Sequence, residues 1–369
     1  MNKFVCVLTT IHPQNDARIF ERTILPLANA GYEVEVIAPW NPIPSEFNIT
    51  WVQTTYPKTR FARLLHGFTT FTKAFNSKSQ VVHFHDIDFL LWGFFLKIFA
   101  QKKVIYDCHE NYPEEILFGK PWIPIFLRKL ASSATYWIEV TCVRYFDHNV
   151  VVVPSLLKKF SRFSKSVTLV RNLSIYKAQK DLIHQDNILY TGTISLNYGG
   201  ENILELARVM KKNLSTMKII TFDKFDSSYR SEFVEAIKLE DLPIVVNKKF
   251  TRNQISDVMS LGMIGLSFSL DTLSNNLGYP TKLFEYMSFG VPVVASNTLR
   301  HQQILNISNS GVLVAHTDMN AVYMTILDLM NDPETVENLK NNGYFAVEYT
   351  FNWKTEEKAL LNIYKDIFN

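Results

Sequence analysis

The stretch Gly278–Ser296, GYPTKLFEYMSFGVPVVAS, combines a helix start, a short helix and a turn into an apolar strand. Pro280 suits the first turn of a helix, and Thr281 is a candidate N-cap residue whose hydroxyl accepts a backbone hydrogen bond. Gly290 then ends the helix, and VPVVAS continues as a strand. A wholly apolar strand entered from a helix indicates a parallel sheet that is covered on both faces.

The start of this helix has the chemistry of an anion site. Helix N-termini bind phosphate, because their first backbone N–H groups are unpaired and the helix dipole is positive there. Lys282 adds a full positive charge in the first turn. Glu285 lies one turn later on the same face, where its carboxylate can accept hydrogen bonds from two ribose hydroxyls. A capped helix that simply leads into a buried strand accounts equally well for either residue taken alone.

The alternation of strand and helix patterns runs through the whole chain. The apolar runs are KFVCVLTT, YEVEVIAP, QVVHFHD, KKVIYDCHE and HNVVVVP in the first half, then NILYTGTIS, MKIITF, LPIVVNKKF, IGLSFS and VPVVAS. Strands that alternate with helices build parallel sheets. We therefore predict an α/β protein with two doubly wound, Rossmann-like domains, residues 1–180 and 181–351, and ligands at the carboxyl ends of the strands.

Composition restricts the class of protein. The 369 residues are 47% hydrophobic and 20% charged, which excludes a disordered or collagen-like chain. The three cysteines include no CxxC pair, so neither a zinc ribbon nor a disulfide framework is expected, and the cytoplasm is the predicted compartment. The N-terminus is typical of a first strand rather than a signal peptide. The apolar stretch at residues 89–100 falls short of the ~18–20 residues that span a bilayer.

Charge is divided unevenly along the chain. The net charge is +3, but residues 1–180 contain 22 Lys and Arg against 13 Asp and Glu, a net charge of +9. The remaining residues therefore carry −6, and residues 47–85 and 148–180 contain no acidic residue. A basic half suits an anionic surface. No nucleic-acid reader module accompanies it, so nucleic acid is not an expected partner.

One basic segment has the pattern of an amphipathic helix. Apolar residues recur at helical spacing on one side, namely Phe61, Leu64, Leu65, Phe68, Phe71 and Phe75. Arg63, His66 and Lys73 lie across from them. Such a helix can lie in a membrane interface, and it can equally pack on a core with a solvated basic face. The segment 122–129, WIPIFLRK, is a candidate second membrane contact.

Polar residues follow several predicted strands. His83, His85, Asp86 and Asp88 raise the question of a metal site, because two histidines at strand spacing share a face and carboxylates follow. Their position at the end of the fourth strand favours lining a cleft or capping the next helix, so we expect no metal. His12, Asp16 and Arg18 in the first loop are candidates for ligand contact or for a loop ion pair. His109 has two interpretations, a substrate contact or a hydrogen bond to Asp107.

The pattern P-x-K-x-x-E-Y-M at residues 280–287 resembles the donor-site signature of GT-B glycosyltransferases, in particular the retaining family 4. It is similar to a branch that assembles bacterial surface polysaccharides such as capsule, O-antigen or exopolysaccharide. The resemblance extends to His12–Arg18, Tyr106–Glu110, Phe146–Val153, Tyr190–Gly192 and the C-terminal helix. It implies that the helix at residues 352–369 crosses back to the first domain.

The resemblance also implies a function. A sugar moves from a nucleotide sugar, most often a UDP-sugar, to a lipid-linked saccharide, with retention and without metal or other cofactor. The implied catalytic residues are His109, Lys282 and Glu285. The implied donor contacts are Gly192, Thr193, Tyr279, Pro280, Thr281, Lys282, Leu283 and Glu285, and the acceptor contacts are His12, Asp16, Arg18 and Glu110. The enzyme would be cytoplasmic and peripheral on the inner face of the membrane, held by its basic N-terminal domain.

Three positions depart from the pattern of the family. Leu277 replaces a second glutamate, and Thr193 and Tyr198 stand where the family commonly places Arg and Lys on the diphosphate. These departures leave a catalytically silent GT-B subunit that scaffolds or activates a partner as the main alternative. A nucleotide-sugar epimerase of the same fold is the other.

Overall fold

The structure is a computed structural model that describes residues 3–14, 16–57, 59–118, 123–226, 229–272, 275–276, 278–315 and 317–369, with backbone alone at residues 60, 61 and 64. It contains two compact units. Unit 1 consists of residues 1–172 and 354–369, and unit 2 consists of residues 173–353.

Unit 1 is built on a seven-stranded parallel sheet with the order β3-β2-β1-β4-β5-β6-β7. Its strands are β1 Phe4–Leu8, β2 Glu33–Ala38, β3 Ile49–Gln53, β4 Val81–Phe84, β5 Lys103–Cys108, β6 His148–Val151 and β7 Val167–Leu169. Its helices include α1 Leu25–Asn29, α2 Arg60–Asn76, α3 Leu90–Phe99, α4 Tyr112–Phe118, α5 Ile125–Cys142 and α6 Pro154–Phe160.

Unit 2 repeats this plan on a six-stranded parallel sheet with the order β10-β9-β8-β11-β12-β13. The strands are β8 Ile188–Leu189, β9 Ile219–Phe222, β10 Ile244–Asn247, β11 Ile264–Ser267, β12 Val293–Ser296 and β13 Gly311–Val314. The helices include α7 Gly200–Lys212, α8 Arg230–Glu240, α9 Ile255–Ser260, α10 Thr281–Ser288, α11 Leu299–Ser308, α12 Met319–Met330 and α13 Pro333–Phe345.

The central strands are buried on both faces, as their apolar sequences predict. All four residues of β4, β9, β11 and β12 are buried. Helices therefore cover both sides of each sheet, which is the doubly wound arrangement. The predicted α/β fold with two Rossmann-like domains is confirmed.

The last helix, α14, spans Trp353–Phe368, and all but its first residue belong to unit 1. Its apolar residues Leu360, Ile363 and Tyr364 are buried. The Tyr364 ring packs against Tyr32 in unit 1, at 5.7 Å between ring centroids. Among the described residues, no helix combines the length and the apolar character needed to cross a membrane.

Candidate active site

The order of strands changes direction at one point in each sheet, and ligands bind at such switch points. In unit 2 that point lies between β8 and β11, because the chain continues from β8 outwards to β9 and then returns to the other side at β11. In unit 1 it lies between β1 and β4. Both points collect polar residues that the sequence singled out.

At the switch point of unit 2, the side chain of Lys282 lies against the loop that follows β8. Its ammonium nitrogen is 4.2 Å from the centroid of the Tyr190 ring. A Cβ atom at Gly192 would lie only 3.1 Å from the same nitrogen. Glycine at this position therefore keeps open the space that the ammonium group occupies.

The environment of Lys282 disfavours the charged form of its ammonium group. Burial, followed by the positive charge of Lys224, lowers the pKa of Lys282 to about 7. Lys282 as a whole residue is nevertheless only partly buried. An anion beside the ammonium group would restore the charged form, because an opposite charge favours it.

The helix that carries Lys282 is fixed to the sheet by Tyr286. The buried Tyr286 hydroxyl accepts a hydrogen bond from the Thr191 N–H at 3.1 Å and lies 3.2 Å from the Leu189 carbonyl oxygen, to which it donates. The Tyr286 ring packs on Gly265 in β11, where a Cβ atom would lie 2.8 Å from the ring. Helix α10 is thereby held across the ends of β8 and β11.

The start of α10 differs in one detail from the prediction. Pro280 is the N-cap residue, and no side chain caps the first turn. The prediction of Thr281 as N-cap is wrong, because Pro280 already takes the non-helical backbone position and Thr281 becomes the first helical residue. Pro280 therefore offers no side-chain acceptor to the first backbone N–H groups of α10.

The loop after β8 has its own supports. The Tyr190 hydroxyl lies 3.0 Å from the carbonyl oxygens of both Thr193 and Tyr198 and donates to them. Gly199 follows with a φ of +74° and is the N-cap of α7, where a Cβ atom would lie 2.4 Å from the Cβ of Phe268. Only glycine fits there, both in space and in backbone conformation.

At the switch point of unit 1, Asp86 connects the two central strands. Its Oδ2 accepts a hydrogen bond of 2.7 Å from the backbone N–H of Thr10, which follows β1. Asp86 precedes a short helical turn at residues 87–89, but its side chain makes no capping hydrogen bond to that turn. The idea that Asp86 caps the next helix is therefore wrong, because the carboxylate is turned towards the first loop.

His12 and Asp16 of the first loop form the ion pair that the sequence offered as one alternative. His12 Nδ1 lies 2.8 Å from Asp16 Oδ2, and His12 Nε2 lies 3.7 Å from Asp86 Oδ1. Burial opposes the charged form of His12, but Asp16 and Asp86 outweigh it and raise its pKa. Burial likewise opposes charge on Asp16, yet the hydrogen bond from His12 lowers the Asp16 pKa.

His109 stands beside this pair. Its ring lies 5.1 Å from the His12 ring, and its Nε2 is 3.1 Å from Nδ1 of His85. The distance from His109 Nε2 to Asp107 Oδ1 is 3.8 Å, longer than a hydrogen bond. Burial holds the pKa of His85 well below its usual range, so His85 is the neutral partner of His109.

Arg18 and Asp107 form a buried ion pair beneath these histidines. Arg18 donates from Nε to Asp107 Oδ2 at 2.8 Å and from Nη2 to Asp107 Oδ1 at 3.1 Å. Its Nη1 donates to the Val170 carbonyl oxygen at 2.8 Å. Burial opposes ionisation of Asp107, but Arg18 and His109 hold its pKa well below the ordinary value. Arg18 is thus turned inwards and holds Asp107 in place.

His83, His85 and Asp107 offer ligand atoms within 4.8 Å of one another, all buried. This group includes the two histidines considered from the sequence, joined by Asp107 rather than by Asp86 and Asp88. His83 also hydrogen-bonds Tyr364 of α14. The guanidinium of Arg18 already supplies the positive charge at both oxygens of Asp107, so the cluster is poorly suited to a metal cation.

Glu110 follows His109 and is exposed as a residue, but its carboxyl group is crowded. Burial of that group and the neighbouring Glu115 raise the pKa of Glu110 to about 7. A carboxyl group with this pKa exchanges its proton near neutral pH, as a general base does.

Residues 176–345 match the family described as Glycosyl transferases group 1, which places the signature around Lys282 inside the matched segment. The chain is a glycosyltransferase of the GT-B fold. No curated protein matches it in sequence. Three solved structures match it over at least 97% of both chains.

The transferase resembles several solved structures at low sequence identity. Sucrose-phosphate synthase from Thermosynechococcus elongatus is 16% identical, with a TM-score of 0.76 over 100% of this chain and 99% of its own. HepE from Anabaena, solved in complex with UDP and glucose, is 12% identical, with a TM-score of 0.74 over 99% and 100%. WaaG, a glycosyltransferase involved in lipopolysaccharide biosynthesis, is 12% identical, with a TM-score of 0.66 over 97% and 99%.

The predicted site residues of the glycosyltransferase fall into two groups. Those predicted to contact the donor lie in unit 2 around α10 and the loop after β8, namely Gly192, Thr193, Tyr279, Pro280, Thr281, Lys282, Leu283 and Glu285. Leu283 is buried in the core. Those predicted to contact the acceptor, His12, Asp16, Arg18 and Glu110, lie in unit 1 with His109. Leu277 and Trp122 lie outside the described residues.

Two residues near the proposed site of the glycosyltransferase, Lys224 and Asp107, have little or no signal in the sequence. Lys224 influences Lys282, although the two are far apart in the chain. The signal for Lys224 is that it directly follows the apolar run MKIITF and one acidic residue, and polar residues after parallel strands belong to the ligand edge. The sequence suggested Asp107 only as a hydrogen-bond partner of His109. Nothing in the sequence indicates that Asp107 pairs with Arg18, which lies 89 residues away.

Proposed function

We propose that this glycosyltransferase moves a sugar from a UDP-sugar to a saccharide linked to a membrane lipid, in the assembly of a bacterial capsule, O-antigen or exopolysaccharide. The observation that carries the proposal is the position of the Lys282 ammonium group beside Gly192, at the carboxyl end of β8. The UDP and glucose bound by HepE and the part played by WaaG in lipopolysaccharide biosynthesis support the choice of donor and pathway.

In this proposal Lys282 binds the donor diphosphate. A desolvated ammonium group interacts more strongly with an anion than an exposed one does. The backbone N–H groups at the start of α10 add partial positive charge. Glu285, one turn further along α10, binds the ribose hydroxyls. Lys282 and the start of α10 together stabilise the negative charge of the diphosphate, so no metal ion is required in this proposal.

The reaction we propose retains the configuration of the transferred sugar. The bond from the anomeric carbon to the diphosphate breaks, and the acceptor oxygen forms its bond on the same face. The proton of the acceptor hydroxyl passes to an oxygen of the leaving diphosphate. Lys282 stabilises the negative charge that the diphosphate gains as it leaves. Removing one group that stabilises charge in the transition state typically slows catalysis by about 100- to 1000-fold.

Unit 1 supplies the acceptor residues in this proposal. The hydrogen-bonded pair of His12 and Asp16 offers both a donor and an acceptor of hydrogen bonds for saccharide hydroxyls. His109 acts on the transferred sugar, and the neutral His85 beside it orients its ring. Glu110 contacts the acceptor. Arg18 contributes indirectly, by holding Asp107 below the histidines.

A thermal-shift panel tests the proposal for the donor. Saturation with a ligand at about 100 times its dissociation constant stabilises a protein by ~2.7 kcal/mol, which amounts to several degrees. We expect UDP and UDP-sugars to raise the melting temperature of the wild type but not of Lys282→Ala. GDP, ADP and CMP should have much smaller effects. Equal shifts in wild type and Lys282→Ala would contradict the proposed donor site, and EDTA should leave the shift with UDP unchanged.

The membrane part of the proposal rests on an exposed apolar face of unit 1. Helix α3 contacts both α2 and α5, and each of these three helices carries large apolar side chains that are exposed to solvent. The apolar face consists of Leu65 and Phe68 on α2, Phe99 on α3, and Phe126, Leu130 and Trp137 on α5. Phe126, Leu130 and Trp137 are 67%, 68% and 60% exposed.

The charge around the apolar face favours an anionic lipid surface as its partner. Residues 47–85, which include all of α2, contain no acidic residue. Residues 1–180 carry the net charge of +9 described above. Basic residues surrounding exposed aromatic and aliphatic side chains are typical of proteins that lie on anionic membranes. We therefore propose peripheral binding to the inner face of the cell membrane through the apolar face.

Co-sedimentation with vesicles tests this membrane contact. We expect the double variant Phe126→Ser/Trp137→Ser to bind vesicles of phosphatidylglycerol and phosphatidylethanolamine at least tenfold more weakly than the wild type, because two exposed aromatic side chains that would insert into the bilayer are lost. Ile307→Ser in unit 2, which removes an equally exposed apolar side chain, is the matched control and should bind normally. Unchanged binding of the double variant would refute the contact.

A further inference from the structure

Lys224 lies opposite Thr193 across two neighbouring strands. The ladder between β8 and β9 pairs Leu189 with Ile220. An isolated parallel bridge further along pairs Ile194 with Phe225. Both partners of the second pair lie five positions after those of the first, so the register is unchanged. The residue opposite Thr193 is therefore Lys224.

Hydrogen bonds hold the backbone of Lys224 in this position. The N–H of Ile194 donates to the Lys224 carbonyl oxygen at 2.8 Å, and the N–H of Asp226 donates to the Ile194 carbonyl oxygen at 3.0 Å. Paired strands lie about 4.8 Å apart. The backbone of Lys224 is thus one strand spacing from Thr193, at the edge of the sheet where Gly192 and the Lys282 ammonium group meet.

The charge of Lys224 has no counter-ion in the part of the chain that the structure describes. The acidic residue beside it, Asp223, is held by Arg230 through two hydrogen bonds of 2.8 and 2.9 Å. No described carboxylate lies within 4.0 Å of the Lys224 ammonium group. After burial, the charge of Lys224 is the second cause of the lowered pKa of Lys282. The charges of Lys224 and Lys282 thus repel each other.

A diphosphate is the ligand that this arrangement fits. It carries two negatively charged groups on one short chain, and two separate cations can each take one of them. Thr193 stands where the family commonly places an arginine for the diphosphate, and a threonine cannot supply that charge. Lys224, opposite Thr193 on the neighbouring strand, can supply a cation to this edge of the sheet.

We propose that Lys224 is the second diphosphate-binding residue of this enzyme and takes over, from β9, the part that arginine at position 193 plays in the family. The inference rests on the proposed function, because it assumes that the donor diphosphate binds at Lys282. The proposal explains how the donor site can bind a diphosphate although Thr193 replaces the arginine that is common in the family.

Isothermal titration of UDP and uridine tests the inference. We expect Lys224→Gln to bind UDP about tenfold or more weakly than the wild type, while its affinity for uridine, measured by competition, stays the same. Lys218→Gln is the matched control, since Lys218 precedes the same strand at its opposite end and the charge change is equal. Its UDP affinity should equal that of the wild type.

A relocated charge makes the test stricter. Thr193→Arg combined with Lys224→Gln should regain most of the UDP affinity, because the cation returns to the paired position. If Lys224→Gln binds UDP as tightly as Lys218→Gln, or loses uridine binding equally, the inference is wrong although the proposed function stands. If wild type binds no UDP, the proposed function and the inference both fail.

Discussion

Replacing Lys282 by methionine is expected to stabilise the protein and, at the same time, to remove its binding of UDP. The methionine side chain has a similar length and carries no charge, so it avoids the cost of burying an ammonium group. The lowered pKa of Lys282, about 7 against an ordinary value of 10.5, reports this cost. Allowing for partial exposure of the side chain, we expect a gain of roughly 2–4 kcal/mol in the free energy of unfolding.

The gain should depend on pH in a defined direction. Below pH 7 lysine is charged in both folded and unfolded chains, so the penalty is complete and the advantage of Lys282→Met is largest. Between pH 7 and about 10.5 the folded chain holds a neutral lysine while the unfolded chain holds a charged one. Wild-type stability therefore rises with pH in this window, and the advantage of the variant shrinks.

Scanning calorimetry at pH 6 and pH 9, together with titration of UDP, measures both effects. UDP affinity of Lys282→Met should fall by about 100-fold or more, because a charged partner of the diphosphate is lost. Lys282→Arg is the control that keeps the charge, and it should retain measurable UDP binding. A methionine variant that is no more stable at pH 6, or that still binds UDP normally, would contradict the role given to Lys282.

The second large effect is expected for Asp107→Asn in unit 1. This change leaves the guanidinium of Arg18 buried without its counter-charge, since both oxygens of Asp107 accept hydrogen bonds from it. Removing one partner of a buried ion pair costs about 3–5 kcal/mol. The double variant Arg18→Met/Asp107→Asn removes both charges and should recover a substantial part of the loss.

Urea unfolding followed by tryptophan fluorescence measures this loss, because five of the six tryptophans lie within residues 1–172. Asp223→Asn is the matched control, since it breaks an exposed pair with Arg230 and should cost far less than the loss of the buried pair. The low pKa of Asp107 means that its contribution is present above the unfolded pKa and disappears as pH falls through the folded pKa. A loss as small as that of the control would show that the pair is not important for stability.

The fold was predictable because its strands are short apolar runs separated by helical patterns. VVHF and VVAS are buried throughout in β4 and β12, and wholly apolar strands of this kind are expected in parallel sheets that are covered on both faces. The same placement rule located His85 and Gly192 just beyond the carboxyl ends of their strands. Local sequence carries this information, so no knowledge of distant contacts was needed.

Other features of the site depend on pairings that sequence alone does not reveal. Arg18 and Asp107 meet because β1 is adjacent to β4 and β4 to β5, an order that local patterns do not specify. Lys224 comes opposite Thr193 only through the register of β8 and β9. The prediction of the α10 N-cap is wrong because proline and threonine both suit a helix start. Which of the two is the N-cap residue depends on the backbone conformation of the residues before the helix.

In the proposed function, the donor diphosphate binds the Lys282 ammonium group. Calorimetric titration of UDP-glucose between pH 6 and pH 8.5 tests it directly, because the phosphates of a nucleotide sugar do not titrate in this range. Binding should take up close to one proton at pH 8, and affinity should fall about thirtyfold across the range as free Lys282 loses its proton. Lys282→Arg should show neither effect. If the wild type binds UDP-glucose with an affinity that is independent of pH, or does not bind it, the donor diphosphate does not bind the Lys282 ammonium group as proposed.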